Sequence, residues 1–77
     1  MKWIDADRQK PKLTKDSGGF KSSEYVLGYY LPYRGADNTY EILKFEKGEQ
    51  WEQWYSPHYD DQVEQPDYWT ILKAPVE

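Results

Sequence analysis

The chain has 77 residues, no cysteine and a formal net charge of −4, with 14 acidic and 10 basic side chains. A chain this short forms a single domain over residues 1–77 that is held by packing rather than by disulfides. Its acidic balance opposes binding to a phosphate backbone, and no stretch approaches the roughly 18 apolar residues of a membrane span. We therefore expect a cytoplasmic protein that binds neither nucleic acid nor membrane.

The N-terminal part is polar and irregular. Trp3-Ile4 is a short apolar pair that we expect to dock against a sheet as an edge strand or a plug. Residues 5–23 contain a proline, the Gly18-Gly19 pair and few apolar anchors, which predicts a long loop.

Residues 24–31 are the predicted centre of the fold, because this stretch is apolar on both faces. One face would hold Tyr25, Leu27, Tyr29 and Leu31, and the other Val26, Gly28 and Tyr30. Such a strand is expected in the middle of a sheet, with cover on both sides.

Two further strands are predicted after a turn at 32–38. Residues 39–46 alternate in polarity, and residues 49–55 return after the hairpin signal Lys47-Gly48, whose glycine is able to take a positive φ. Together with the central strand they form an antiparallel meander.

A last strand is predicted at residues 67–72. It follows a loop at 56–66 that we expect to be tethered by Tyr59 and Val63. We expect this strand to lie beside the first segment, with Trp3 and Trp69 on either side of one core.

The predicted fold class is all-β: a small twisted antiparallel meander of three to five strands with a long N-terminal loop, and with a partly open SH3-like barrel as the main variant. The sequence has 14 aromatic residues against eleven Val, Leu and Ile. A buried aromatic side chain removes about 150–250 Å² from water. Most Trp and Tyr side chains are therefore expected in the core, which leaves few for ligand capture.

Catalysis and metal binding have little support in the sequence. His58 is the single histidine, and it lies beside Asp60 and Asp61 in a predicted loop. A catalytic zinc site takes three protein ligands, and the serines of this chain lie in predicted loops with only that histidine as a base. We predict no catalytic residue, no metal ligand and no cofactor.

Aromatic side chains are the remaining candidates for a binding site. Trp51 and Trp54 are an odd number of residues apart and point to opposite faces of a regular strand, so one of them is expected to be exposed. The candidate ligand- or partner-binding residues are Trp54, Tyr55 and Tyr33. Their acidic and amide neighbours disfavour single-stranded nucleic acid.

Short motifs along most of the chain show a family resemblance. They are Trp3-Ile4, Asp7-Arg8, Val26-Leu27, residues 45–51, and residues 68–72 with Pro75. In these motifs the chain resembles the small phage and bacterial domain family of unknown function that is numbered 551. The resemblance implies a phage, prophage or mobile-element context, and it brings no activity, cofactor or catalytic residue.

Two functions from different classes follow from these observations. The first is a non-enzymatic accessory protein of phage or mobile-element type, which acts through contacts with a protein partner or with further copies of itself. The alternative is a small-ligand or carbohydrate-binding module that uses an exposed Trp54 or Tyr55. An enzyme ranks third.

Overall fold

A computed structural model of the protein describes residues 2–16, 18–32 and 40–72, and these residues form eight strands. In chain order, the strands are β1 (Ile4–Asp5), β2 (Leu13–Asp16), β3 (Lys21–Ser23), β4 (Val26–Tyr29), β5 (Tyr40–Lys47), β6 (Glu52–Ser56), β7 (Asp61–Val63) and β8 (Tyr68–Ile71). All pairings among these strands are antiparallel. The predicted all-β antiparallel fold class is confirmed, whereas the predicted number of three to five strands is too low, since the described residues form eight short strands.

The strands that follow the central strand pair in sequence, as predicted. Strands β4, β5, β6 and β7 form a meander. Strand β8 returns to lie between β1 and β4, which makes β1 an edge strand. The predicted pairing of the last strand with the first segment is therefore also confirmed.

Strand β5 belongs to two sheets at once. Its first half pairs with β4 in a first sheet ordered β1-β8-β4-β5, and its second half pairs with β3 and β6 in a second sheet ordered β2-β3-β5-β6-β7. Because one strand serves both sheets, the sheets curl around a common interior. This arrangement agrees with the predicted partly open barrel.

A bulge between β3 and β4 makes this bend possible. From Ser22 to Val26 the chain advances by four residues, whereas β5 advances by three from Glu46 to Leu43. The extra residue interrupts the ladder and bends the strand. The buried Ser23 repairs the interruption, because its hydroxyl accepts the Phe45 N–H at 2.9 Å and donates to the Glu24 carbonyl at 2.7 Å.

The interior between the sheets is built largely from rings. The buried apolar residues are Ala6, Val26, Tyr30, Leu43, Phe45, Trp54 and Trp69. Phe45 and Trp54 face each other across β5 and β6, with ring centroids 5.3 Å apart. Trp69 donates from its Nε1 to the Gln9 carbonyl at 2.8 Å, which ties the N-terminal segment to the core.

The expectation that most Trp and Tyr side chains are buried is wrong. Among the described tyrosines only Tyr30 is buried, and the others are half-buried or exposed. Trp3 and Trp69 also do not share a core, because Ile4 pairs with Trp69 and adjacent residues of a strand point to opposite faces. A tyrosine hydroxyl needs a hydrogen-bond partner, which water supplies at the surface.

The long N-terminal loop is only partly a loop, since residues 5–23 include β2 and β3. Their polar residues give little strand signal, and an irregularity between Leu13 and Lys15 breaks the alternation. The predicted loop at 56–66 likewise contains β7. Val63 packs against the core there, as expected, whereas Tyr59 is exposed.

Two glycines allow close packing. A Cβ at Gly28 would lie 2.6 Å from Leu43 Cδ1 and 3.2 Å from Pro66 Cβ, and both of these neighbours are fully buried. A Cβ at Gly48 would overlap the Trp51 indole. Among the described glycines the positive φ, 79°, belongs to Gly18 and not to Gly48, so Gly48 is needed for space rather than for backbone conformation.

Replacing Ser23 by alanine is expected to lower the free energy of unfolding by about 1–3 kcal/mol, because the buried Phe45 N–H loses its acceptor. Urea denaturation measures the loss. Thr14→Ala is the control: it removes an exposed 3.4 Å hydrogen bond to Glu24, and we expect a change within about 0.5 kcal/mol. Equal stability of Ser23→Ala and the wild type would contradict a role for the hydroxyl at the bend.

Gly28→Ala is expected to destabilise the fold by about 1–3 kcal/mol, since the added methyl group overpacks the interior. The matched control is Gly19→Ala, where a Cβ would have no neighbour within 4 Å and the φ is not positive. Thermal unfolding of both variants checks the prediction. A Gly28→Ala variant as stable as Gly19→Ala would mean that Leu43 and Pro66 can yield.

Candidate binding face

The structure describes two of the three residues that the sequence proposes for binding, Trp54 and Tyr55. Tyr33 lies outside the described residues. Trp54 is only 4% exposed and packs against Phe45, so the expectation that it is exposed is wrong. Its Nε1 is buried, with no hydrogen-bond partner among the described residues. Trp51 is the exposed member of the pair, at 44%, and it packs beside Phe20.

Tyr55 is half-buried and already engaged. Its hydroxyl donates to Asp60 Oδ1, and the Lys44 ammonium lies 5.5 Å from its ring centroid. Lys44 also pairs with Glu46 at 3.6 Å. The hydrogen bond to Asp60 is the main cause that raises the pKa of Tyr55 from 10.0 to about 12. Tyr55 is thus part of a local polar network rather than an open platform.

A different group of aromatic side chains lies together on the first sheet. Tyr40, Tyr29 and Tyr68 are direct neighbours across β5, β4 and β8. The ring centroids are 5.2 Å apart for the first pair and 6.5 Å apart for the second. Residues opposite each other in a sheet share a face, and Val26 and Gly28 point to the interior. The three tyrosines therefore lie on the outside of the sheet.

The same face continues with apolar side chains. Leu27 pairs with Ile42 in the neighbouring row, and Trp3 contacts both Tyr29 and Tyr40, at 5.7 and 6.1 Å between centroids. We call this set the tyrosine face: Trp3, Leu27, Tyr29, Tyr40, Ile42 and Tyr68. Tyr40 and Ile42 are 56% and 48% exposed. Strand β4 is central as predicted, but in the described structure only its inner side is fully buried.

Four rings of this face surround an open cavity of about 250 Å³, lined by Trp3, Tyr29, Tyr40 and Tyr68. Tyr29 is half-buried and contacts the other three rings, so it is the central ring of the four. The planes of the contacting rings are inclined to each other by 34–49°. We call this cavity the aromatic cup.

An acidic residue lies on the same face of the sheet as the cup. Asp5 is opposite Tyr68 in the pairing of β1 with β8. Asp5 Oδ1 accepts the Asp7 N–H at 2.9 Å. The cup is therefore lined by aromatic side chains, with a carboxylate on the adjoining edge strand.

Sequence reasoning missed the cup because it assigned these rings to the interior. The alternation in residues 24–31 does place Tyr29 on the face opposite Val26 and Gly28. The position of Tyr68 beside Tyr29 depends on β8 pairing with β4, a contact between distant parts of the chain that no local pattern encodes. The sequence does contain one signal: it has more aromatic residues than one small core can hold, which indicates that some of them lie on the surface.

The other candidate sites gain no support from their geometry. Within residues 2–16, 18–32 and 40–72, no three or more His, Asp or Glu side chains are grouped to hold a metal ion. His58 is exposed and packs edge-on against Tyr59, with ring centroids 4.8 Å apart. No helix among the described residues has the length and apolar character needed to cross a membrane.

Comparisons with protein-family models, with curated proteins and with solved structures give no match for this chain.

The phenol of Tyr55 is expected to titrate near pH 12 in the folded protein. Because the folded pKa is raised, the fold favours the protonated phenol, and this stabilisation is complete below pH 10 and is lost as the pH rises from 10 to about 12. NMR titration of the tyrosine ring carbons follows the change, with Tyr55→Phe to assign the signal. Asp60→Asn should shift the pKa back towards 10.0. A Tyr55 pKa of 10.0 in the folded protein would contradict the hydrogen bond to Asp60.

Proposed function

We propose that this chain is a non-enzymatic interaction module that binds a protein partner through the tyrosine face. The observation that supports this proposal most directly is the cluster of exposed Tyr and Ile side chains, with the half-buried Trp3 beside them, on one side of a sheet. Contiguous exposed apolar patches are typical of interaction sites. Tyrosine and tryptophan are also the residue types enriched among those that dominate binding energy at interfaces.

The rigid geometry of the face favours binding over catalysis. Its tyrosines are fixed by ring contacts and by the ladder of three strands, so little conformational entropy is lost when a partner covers them. The side chains in the cup are aromatic and include no acid–base pair among the described residues. Such a surface offers contact area and shape complementarity to a partner, and it provides no groups for proton transfer.

The phage or mobile-element context is part of the same proposal. It depends on the resemblance to the family numbered 551, whose motifs at Trp3-Ile4 and 68–72 fall on neighbouring strands of this fold. We also propose a bacterial cytoplasmic location on this basis. The acidic net charge of −4 supports a protein partner over nucleic acid.

The second candidate function is binding of a small ligand or a carbohydrate. The aromatic cup favours it, because four rings around an open cavity provide a ready apolar contact surface. In this version the rings of the cup replace Trp54 and Tyr55 as the aromatic platform.

Ile42→Lys is expected to abolish capture of the partner, because a charge is placed on the tyrosine face beside Leu27 and Tyr40. The matched control is Ile71→Lys: Ile71 is 59% exposed and pairs with Val26, on the other side of the same sheet. Affinity capture from the native host, quantified by mass spectrometry, compares the two variants with the wild type. We expect at least about a tenfold loss of specific partners for Ile42→Lys.

Light scattering across protein concentration tests whether the partner is a second copy of the chain. A mass that rises with concentration in the wild type and in Ile71→Lys, and stays monomeric in Ile42→Lys, would identify the tyrosine face as a self-association surface. Retention of all captured proteins and of the same mass by Ile42→Lys would overturn the proposal.

A further inference from the structure

We propose that the aromatic cup binds a quaternary methylammonium group, presented by a trimethylated lysine side chain of the protein partner. This inference deepens the proposed function and rests on it. It assigns a chemical specificity to the rings Trp3, Tyr29, Tyr40 and Tyr68, beyond their contribution to an apolar interface.

The cup fits a cation. Each aromatic face carries negative electrostatic potential, so a positive group within about 6 Å of several ring centroids is attracted by all of them. The Tyr29 ring centroid lies 5.2–6.5 Å from those of the other three rings, and all four residues line the same cavity. Asp5 on the adjoining strand and the net charge of −4 add to the attraction.

No described basic side chain already fills the cup. The cation–π contacts found among the described residues both involve Lys44, which lies over Tyr25 and Tyr55. Neither ring lines the cup. An external cation therefore meets no competition from the described residues.

The lining selects a methylated ammonium over an unmodified lysine. An unmodified ammonium has three N–H donors and holds its water strongly, so it needs acceptors to replace that water. The four side chains that line the cup include no carboxylate and no amide. A trimethylammonium group has no N–H donor to satisfy, and its methyl groups match an apolar wall.

Ring orientation favours this group over a sugar. A sugar ring stacks on a flat aromatic surface and needs polar side chains around its hydroxyl groups. The contacting rings of the cup are inclined by 34–49° to each other, so together they present no single flat surface. The cavity of about 250 Å³ is also smaller than the roughly 300–1,000 Å³ of sites for drug-sized ligands.

The experiment compares simple probes on the wild-type protein by NMR. The main probe is the acetylated amide of trimethyllysine, and its neutral isostere has carbon in place of the ammonium nitrogen. We expect upfield ring-current shifts of the N-methyl protons, amide shifts confined to β1, β4, β5 and β8, and roughly tenfold weaker binding of the neutral isostere. The amide of unmodified lysine is expected to bind more weakly than the trimethylated one.

Variants locate the site. Tyr40→Ala removes an exposed ring of the cup and is expected to weaken binding of the trimethyllysine probe at least fivefold. Tyr59→Ala, which removes an equally exposed tyrosine outside the cup, should leave binding unchanged. Amide spectra of both variants confirm that the fold is retained.

Several outcomes would overturn the inference. They are equal binding of the charged probe and the neutral isostere, binding of a methyl glycoside in preference to the cation, and no binding of the trimethyllysine probe at all.

The proposed function is tested independently of this inference. Probe binding is measured on the wild-type protein, whereas partner capture is compared between the wild type and Ile42→Lys. Ile42 does not line the cup, so the two readouts can fail separately. If the probe fails to bind while Ile42→Lys still loses the partner, the interaction module stands and only the cation specificity is wrong.

Discussion

The fold depends on a single backbone irregularity, the extra residue between β3 and β4. Strand β5 can pair with both sheets only because its neighbour bends at this point, and bending removes a ladder hydrogen bond from the Phe45 N–H. The Ser23 hydroxyl replaces that bond from inside the core. A buried serine hydroxyl thus replaces a backbone carbonyl as the hydrogen-bond acceptor. The amide at the bend is therefore paired although it lies in the interior.

The bend also explains the division of the aromatic side chains. A domain of 77 residues that curls around one small interior has room for only a few rings. Phe45, Trp54 and Trp69 take most of that space, and Gly28 keeps the wall of β4 thin enough for Leu43 and Pro66 to fit. Tyr30 is also buried, and the other described tyrosines are half-buried or exposed. The presence of rings at the surface is thus a consequence of a full core.

The sequence predicts the architecture better than the site. Apolar alternation is a local signal, and it located the central strand, the two strands of the meander and the last strand. Polar strands such as Lys21–Ser23 were missed, because serine in a strand is stabilised by pairing with distant residues and not by its own preference. The aromatic cup was missed for the same reason. Its rings come from β4, β5, β8 and the segment before β1, and only the tertiary pairing brings them together.

The place of β8 in the first sheet has a consequence for the order of assembly. Although β8 follows the other described strands in the chain, it is an inner strand that joins β1 to β4. Contacts such as Ile4 with Trp69 close very long loops. They are slow to form, because the entropy cost of loop closure comes before the contact stabilises the fold. Before β8 pairs with β1 and β4, no sheet holds Trp3 and Tyr68 beside Tyr29. The cavity therefore exists only in molecules in which β8 has joined the first sheet, and a chain that lacks this pairing would present isolated rings with no pocket between them.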